Sequence, residues 1–262
     1  MDETILNQTP AWIIIIVLLV LMFAVNRLGY KFRTFEISKN KIISNEGLGI
    51  IETSFFGLVA LLLSFTFSMA TLRYDNRRAI IVEEANSIRT AVLCADMYPE
   101  PLKKNLKSDL KHYIDFRITY YTADVNKTKI DEAKKNSNKV FKKIWNSVIQ
   151  DSENPEHLMR SQQMIPALTK MINLVTSRDA IINAMVPTSV LWLLFTVILL
   201  ASFTVGYTNI EKQKNHLLAL IFSITIAMTV FLILNLDRPR RGRLINVNST
   251  EQKIVELKNY FN

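Results

Sequence analysis

Residues 52–96 read ETSFFGLVALLLSFTFSMATLRYDNRRAIIVEEANSIRTAVLCAD. It begins as an apolar run long enough to cross the ~30 Å hydrocarbon core of a bilayer. It then continues into a charged segment with no proline and no glycine after Gly57. We therefore expect one helix that starts in lipid and extends into water.

One face of this predicted helix is made of small or weakly polar residues. They recur every three or four positions, the spacing of one side of an α-helix, and are Thr53, Gly57, Ala60, Ser64, Ser68 and Thr71. Such a stripe either packs closely against another helix or lines a polar pathway, and both interpretations stay open at this point. Phe65 and Phe67 flank the stripe as candidates for an apolar constriction, although contact with lipid or core is the simpler explanation.

Charged residues follow the apolar run directly. In a symmetric assembly, Arg73, Arg77 and Arg78 would form rings at the mouth of a pathway, with Asp75 beside them. Basic residues also retain membrane ends on the cytoplasmic side, which explains them without any pathway. The sequence alone does not separate these roles.

Three more apolar runs, 11–25, 186–205 and 217–236, are near the length of a membrane span. The first is predicted to be a retained helix, since the residues before it are acidic rather than basic. We predict an all-α integral membrane protein with four transmembrane helices and a helical extramembrane layer between the second and third. The predicted divisions are 1–49 (first transmembrane helix and polar connection), 50–72 (second transmembrane helix), 73–183 (helical layer), 184–236 (third and fourth transmembrane helices) and 237–262 (C-terminal tail). The last helix of the layer is expected to run into the third span.

Catalytic and metal-binding patterns are missing from the sequence. There is one cysteine, Cys94, and the three histidines lie far apart, with no Gly-rich phosphate loop and no G-x-S-x-G motif. We expect no enzyme activity, no metal and no cofactor. The lysine-rich helices of residues 103–143 carry interspersed acids, which favours a solvated surface over a nucleic-acid site. No ionisable residue lies in the middle of a span, which argues against a proton-coupled transporter.

Two blocks carry a family resemblance. Residues 61–101, LLLSFTFSMATLRYDNRRAIIVEEANSIRTAVLCADMYPEP, resemble the signature of the bestrophin-like family of bacterial four-helix membrane proteins. Residues 235–242, NLDRPRRG, resemble that family's exit from the last membrane helix. Both blocks lie where the family places them, so the resemblance covers nearly the whole chain.

This resemblance implies a ring-shaped homo-oligomer such as a pentamer, with the second membrane helix around an axial ion pathway. Bestrophins pass anions through a hydrophobic neck on that helix. The sequence departs from them in two ways: it has no acid cluster comparable to the calcium clasp, so calcium gating is not carried over, and Arg89 stands where the family usually has a small residue.

The resulting expectation is an anion-permeable channel whose second helix lines the pathway through Gly57, Ala60, Ser64, Ser68 and Thr71. The alternative is a non-conducting scaffold or sensor whose helical layer binds a partner. Expected partners are further copies of the chain, membrane lipid and inorganic ions. Basic residues near the membrane ends are more numerous on the side of the helical layer, so we expect a bacterial inner-membrane protein with that layer and the C-terminus cytoplasmic.

Overall fold

The computed structural model describes residues 9–39, 48–123, 126–208, 216–238 and 248–261. Within those ranges the chain is helical throughout, apart from turns and short connections, and contains no strand. Four of its helices are long and apolar enough to cross a membrane. The predicted fold class is confirmed.

Eight α-helices occur in the described ranges. They are α1 (Ala11–Ser38), α2 (Leu48–Ala95), α3 (Leu102–Thr122), α4 (Lys127–Ser152), α5 (Leu158–Asn183), α6 (Thr188–Thr208), α7 (His216–Asp237) and α8 (Asn248–Glu256). Short 3-10 segments precede α5 (Pro155–His157) and follow α8 (Leu257–Phe261). The 48 residues of α2 form one helix, as the lack of internal proline predicts.

The chain divides into two compact units. The first comprises Met1–Arg73 and Met185–Gly242, and the second comprises Tyr74–Ala184 and Arg243–Asn262. The division therefore falls within α2. The first unit holds the four apolar spans, and the second holds the extramembrane helices together with α8.

In the first unit, α1 packs closely against α6 at two glycines. A Cβ placed on Gly29 would overlap the carbonyl oxygen of Phe203, and one placed on Gly206 would overlap that of Asn26. The side chain of Asn26 also donates a hydrogen bond to the carbonyl of Ser202, at 3.2 Å. Small residues thus let two membrane helices approach at backbone distance.

The connection between α5 and α6 differs from the sequence prediction, which had the helix continuing into the third span. Instead α5 ends at Asn183, and four non-helical residues precede α6. Pro187 explains the break, because proline disfavours helical geometry in the residue before it. The backbone N–H of that residue, Val186, donates to both carboxylate oxygens of Asp237, at 3.0 and 3.1 Å.

The same connection gives a structural role to part of the second sequence block. Asp237 ends α7 and is buried, and the neighbouring Arg238 donates to the carbonyl of Thr9 at 2.6 Å. Asp237 and Arg238, the first charged residues of this block, thus join three segments of the first unit. Residues 239–242 of the block lie outside the described residues.

The second unit has its own apolar core, to which the C-terminal residues contribute. Ile254 of α8 and Leu257 are buried within this core, and α8 contacts α3. Lys258 also pairs with Asp115 of α3 at 2.7 Å. The last residues of the chain therefore pack with the extramembrane helices.

Candidate functional site

In the first unit, one face of α2 is covered by the chain and the other is not. Val59, Thr66 and Ala70 are buried in the core of the unit. The hydroxyl of Thr66 donates to the carbonyl of Leu62 at 2.7 Å, so this buried polar group is satisfied within the helix. The covered face thus packs α2 against its own unit.

The small-residue stripe lies on the uncovered face. Gly57, Ala60, Ser64 and Ser68 are all exposed, and a Cβ on Gly57 would meet nothing within 4 Å. Thr71, at the end of the stripe, is half-buried. Within the described ranges, no helix of the chain buries these four residues.

The two constriction candidates are exposed as well. Phe65 exposes 60% of its surface and Phe67 exposes 41%. Their positions on α2 lie to either side of the stripe rather than on it. A role for them at a constriction remains a prediction.

The four charged residues predicted for a mouth occupy different environments. Arg73 is half-buried, whereas Asp75 and Arg78 are exposed, and the Arg78 guanidinium lies over the Tyr74 ring at 5.7 Å. Arg77 is buried within the second unit. Among these basic side chains, Arg78 is therefore the most exposed.

An exposed stripe also runs along α2 within the second unit. Its residues follow one another at three or four positions and are Asp75, Ala79, Val82, Asn86, Arg89 and Leu93. Opposite them, Ile81, Glu84 and Ile88 are buried. The residue that departs from the family pattern, Arg89, is therefore on the free side of the helix.

The buried side of α2 in this unit carries a charge cluster. The Glu84 carboxylate accepts from Arg117 Nε of α3 at 2.5 Å and from Arg178 Nη1 of α5 at 3.3 Å. It also accepts from the hydroxyl of Tyr121 at 2.8 Å. Glu84 and Arg178 expose none of their side-chain surface, and Arg117 exposes 1%. One carboxylate thus holds three helices together.

Aromatic rings enclose this cluster. The Arg178 and Arg117 guanidinium carbons lie 4.1 and 4.9 Å from the centre of the Tyr120 ring, within the range of cation–π attraction. Burial is the largest single effect and lowers the Arg117 pKa, but Coulomb attraction to Glu84, Tyr113 and Tyr121, together with the hydrogen bond to Glu84, outweighs it and raises that pKa. For Tyr121, burial raises the pKa, and the neighbouring Glu84 charge raises it further. The guanidinium therefore stays charged and the phenol stays neutral.

The sequence analysis missed this cluster, although a signal for it exists. Arg117 stands seven positions after Leu110, and Arg178 stands seven positions after Met171, so both lie on the apolar face of their helices. Glu84 likewise interrupts an apolar face. A charged residue at a core position indicates a buried partner of opposite charge.

Within the described ranges, no group of three His, Cys, Asp or Glu side chains could hold a metal ion. The geometry thus offers two candidate sites, the exposed stripe of α2 and the buried cluster around Glu84. Neither brings together a nucleophile and a base in the manner of a hydrolase.

The fold and these sites define a four-span, all-helical integral membrane protein with a helical extramembrane unit. A family model described as the Bestrophin-like domain matches residues 16–245. The chain belongs to the Bestrophin-like family, as the two sequence blocks indicated.

Solved structures share this fold. A crystal structure of a bacterial Bestrophin homolog from Klebsiella pneumoniae carrying one substitution superposes with a TM-score of 0.71 at 12% identity, covering 93% of this chain and 98% of that one. A second structure of a Bestrophin homolog from the same organism gives 0.66 at 12% identity, covering 94% and 98%. A structure described as a membrane protein gives 0.64 at 15% identity, covering 93% and 98%. No curated protein matches the chain.

Proposed function

We propose that the chain is the subunit of a symmetric, ring-shaped ion channel in which α2 lines the axial pathway. The observation that carries the proposal is the free face of α2: Gly57, Ala60, Ser64 and Ser68 are exposed although the opposite face is packed against the chain's own helices. A hydroxyl group that faces lipid has no hydrogen-bond partner in the lipid, whereas in a ring it would face water or a neighbouring subunit. Membership in the Bestrophin-like family supports the same arrangement.

Anions are the proposed permeant class. Arg78 and Arg89 are both exposed on α2, eleven positions apart, which places them on nearly the same side of the helix. Repeated around an axis, they would attract anions and repel cations. Asp75 lies on the same side and reduces the effect, so we expect a moderate selectivity. Permeation of this kind requires no covalent chemistry, and we propose no enzyme activity.

Purified protein reconstituted into liposomes tests the pathway. Ser68→Leu should reduce ion flux several-fold, because a branched apolar side chain narrows and dries the lining. Thr225→Leu is the matched control: Thr225 is an exposed hydroxyl residue of α7 whose hydroxyl is bonded to the carbonyl of Ile221 at 2.9 Å. Equal flux in both variants and in the parent protein would remove α2 from the pathway, provided that the oligomer is intact.

Selectivity is tested separately. In a salt gradient, the reversal potential should indicate anion preference, and the Arg78→Ala and Arg89→Ala variants should shift it toward zero. A cation-selective potential that neither variant alters would contradict the proposed permeant class.

A second function is supported by one observation in the extramembrane unit. Val82 and Leu93 expose 38% and 54% of their surfaces on the free side of α2, which suits contact with another protein as well as a pathway wall. A non-conducting scaffold or sensor would use this surface for a partner. An image of the assembly along its symmetry axis separates the two functions, because a scaffold needs no axial opening.

We further propose that the protein lies in a bacterial inner membrane with the second unit cytoplasmic. The exposed Arg78, close to the end of the apolar part of α2, supports this orientation. Labelling of a cysteine introduced on the exposed side of α4 in intact and in lysed cells is the corresponding measurement.

A further inference from the structure

The charges of the buried cluster are not balanced. Glu84 is shared between Arg117 and Arg178, all three of them fully or almost fully buried. Arg178 Nη2 also donates to Asp179 at 2.9 Å, but Asp179 is partly exposed and is itself paired with Lys134 at 2.7 Å. The cluster thus contains three cations, Arg117, Arg178 and Lys134, and two carboxylates, Glu84 and Asp179. Because both arginines are buried with Glu84 alone, the excess positive charge lies in the buried part of the cluster.

Buried hydrogen-bond donors remain on the same two arginines. Arg117 Nη1, Arg117 Nη2 and Arg178 Nε are buried and have no hydrogen-bond partner within the part of the chain that the structure describes. Because Arg117 uses Nε for Glu84, the open donors are the pair at the end of its guanidinium. That pair forms the planar, two-pronged edge that binds anions in a bidentate manner.

The aromatic neighbours limit what can approach this edge. Tyr120 and Tyr121 lie over the guanidiniums, with ring centres 4.9 and 5.5 Å from the Arg117 carbon. Tyr113, which is buried, lies one helical turn before Arg117 on α3. With two aromatic rings against the Arg117 guanidinium, the crowded surroundings of its Nη1–Nη2 edge suit a small ligand.

We propose that a small monovalent anion of the chloride class binds inside the second unit at the Nη1–Nη2 edge of Arg117. It would supply the negative charge that the cluster lacks and would accept the hydrogen bonds that the protein leaves open. Unpaired buried charge is strongly unfavourable, and a bound counter-ion removes that penalty. A water molecule could accept the same bonds but would leave the excess charge in place. This site is separate from the proposed pathway and does not depend on conduction.

Thermal unfolding of the intact protein in detergent measures the binding. At constant ionic strength, replacing gluconate by chloride should raise the unfolding midpoint along a saturable curve, by on the order of 5 °C. Arg117→Lys keeps the charge but lacks the bidentate edge, and we expect it to lose most of the chloride dependence. Arg160→Lys is the matched control, because Arg160 lies in the same unit and is fully paired with Asp151.

Bromide locates the anion without any variant. In crystals of the parent protein grown with bromide, anomalous scattering should give one peak per subunit within hydrogen-bond distance of Arg117 Nη1 and Nη2. A peak found only along α2 would support the pathway and overturn the buried site. Ordered water at Arg117 without bromide would overturn the proposal too, as would a chloride dependence that is unchanged in Arg117→Lys.

Discussion

Glu84 of α2 and Arg117 of α3 form an ion pair, 2.5 Å long, in which the two side chains expose 0% and 1% of their surfaces. The adjacent residue, Glu83, also pairs with a base, Lys170 of α5, at 3.0 Å, but both members of that pair are more than half exposed. Two neighbouring glutamates thus make the same kind of contact in opposite environments.

This contrast predicts different effects of the same substitution. Glu84→Gln leaves two arginines buried without their carboxylate, and we expect a loss of about 3–5 kcal/mol in the free energy of unfolding. Glu83→Gln removes an exposed pair and should change it by less than about 1 kcal/mol. Unfolding of both variants in detergent, followed by circular dichroism, gives the comparison. Similar losses in the two variants would mean that the Glu84 pairs are not buried in the assembled protein.

A second prediction concerns the contact of α1 with α6. Gly206→Ala introduces a Cβ where the backbone of Asn26 already lies, so the helices must separate. We expect a loss of about 1–3 kcal/mol, the usual effect of overpacking. Gly57→Ala is the control, since its added methyl group meets open space and should change stability by less than about 1 kcal/mol. The measurement is resistance to unfolding in mixed detergent and SDS. If Gly206→Ala were as stable as the control, the two backbones would have to lie further apart.

A third prediction concerns Asp237 at the end of α7, whose carboxylate accepts the N–H of Val186 just before α6. Asp237→Ala leaves the buried N–H of Val186 without an acceptor, which costs about 1–3 kcal/mol. Asp237→Asn retains one acceptor oxygen and should recover part of that loss. Asp75→Ala, which removes an exposed acid from α2, should change stability by less than about 0.5 kcal/mol. An Asn variant no more stable than the Ala variant would show that the contact depends on charge rather than on the hydrogen bond.

The fourth prediction is a pH dependence. Arg160 donates two hydrogen bonds to Asp151, at 2.8 and 2.6 Å, and these hold the Asp151 pKa below its ordinary value despite burial. His157 also faces this carboxylate, at 3.1 Å. A lowered folded-state pKa stabilises the protein above the unfolded value, near pH ~4, and this contribution is lost as pH falls through the folded value.

Asp151→Asn should therefore destabilise the protein by about 1–2 kcal/mol near neutral pH. The difference from the parent protein should shrink once the pH falls below about 4. Unfolding midpoints of both proteins across this range give the result. A difference that grows toward acid would have the wrong sign for an ionised, paired Asp151.

Much of the fold could be predicted from local sequence. Apolar runs of sufficient length give the four spans, and residues 61–101 give the family, because both signals are written in consecutive residues. The break before α6 has a local signal in Pro187, which the sequence analysis did not use, whereas Asp237, the acceptor for the N–H of Val186, lies 51 positions away. Long-range contacts of this kind are not visible in a local pattern.

The two candidate sites also differ in how far local sequence predicts them. The stripe of Gly57, Ser64 and Ser68 follows from helical spacing, but its use depends on neighbouring subunits, so pathway lining stays a prediction. The cluster around Glu84 requires Arg117 and Arg178 from two other helices to meet at one carboxylate. Spacing places each of the three on an apolar face, yet it cannot say which charges pair.

The continuity of α2 has a mechanical consequence. Its 48 residues span roughly 72 Å, more than twice the thickness of a bilayer's hydrocarbon core, with no proline at which the backbone could swivel. A rotation of α2 about its own axis by ~100°, the angle between consecutive residues of a helix, would replace hydroxyl groups by phenyl and leucyl groups along its exposed side.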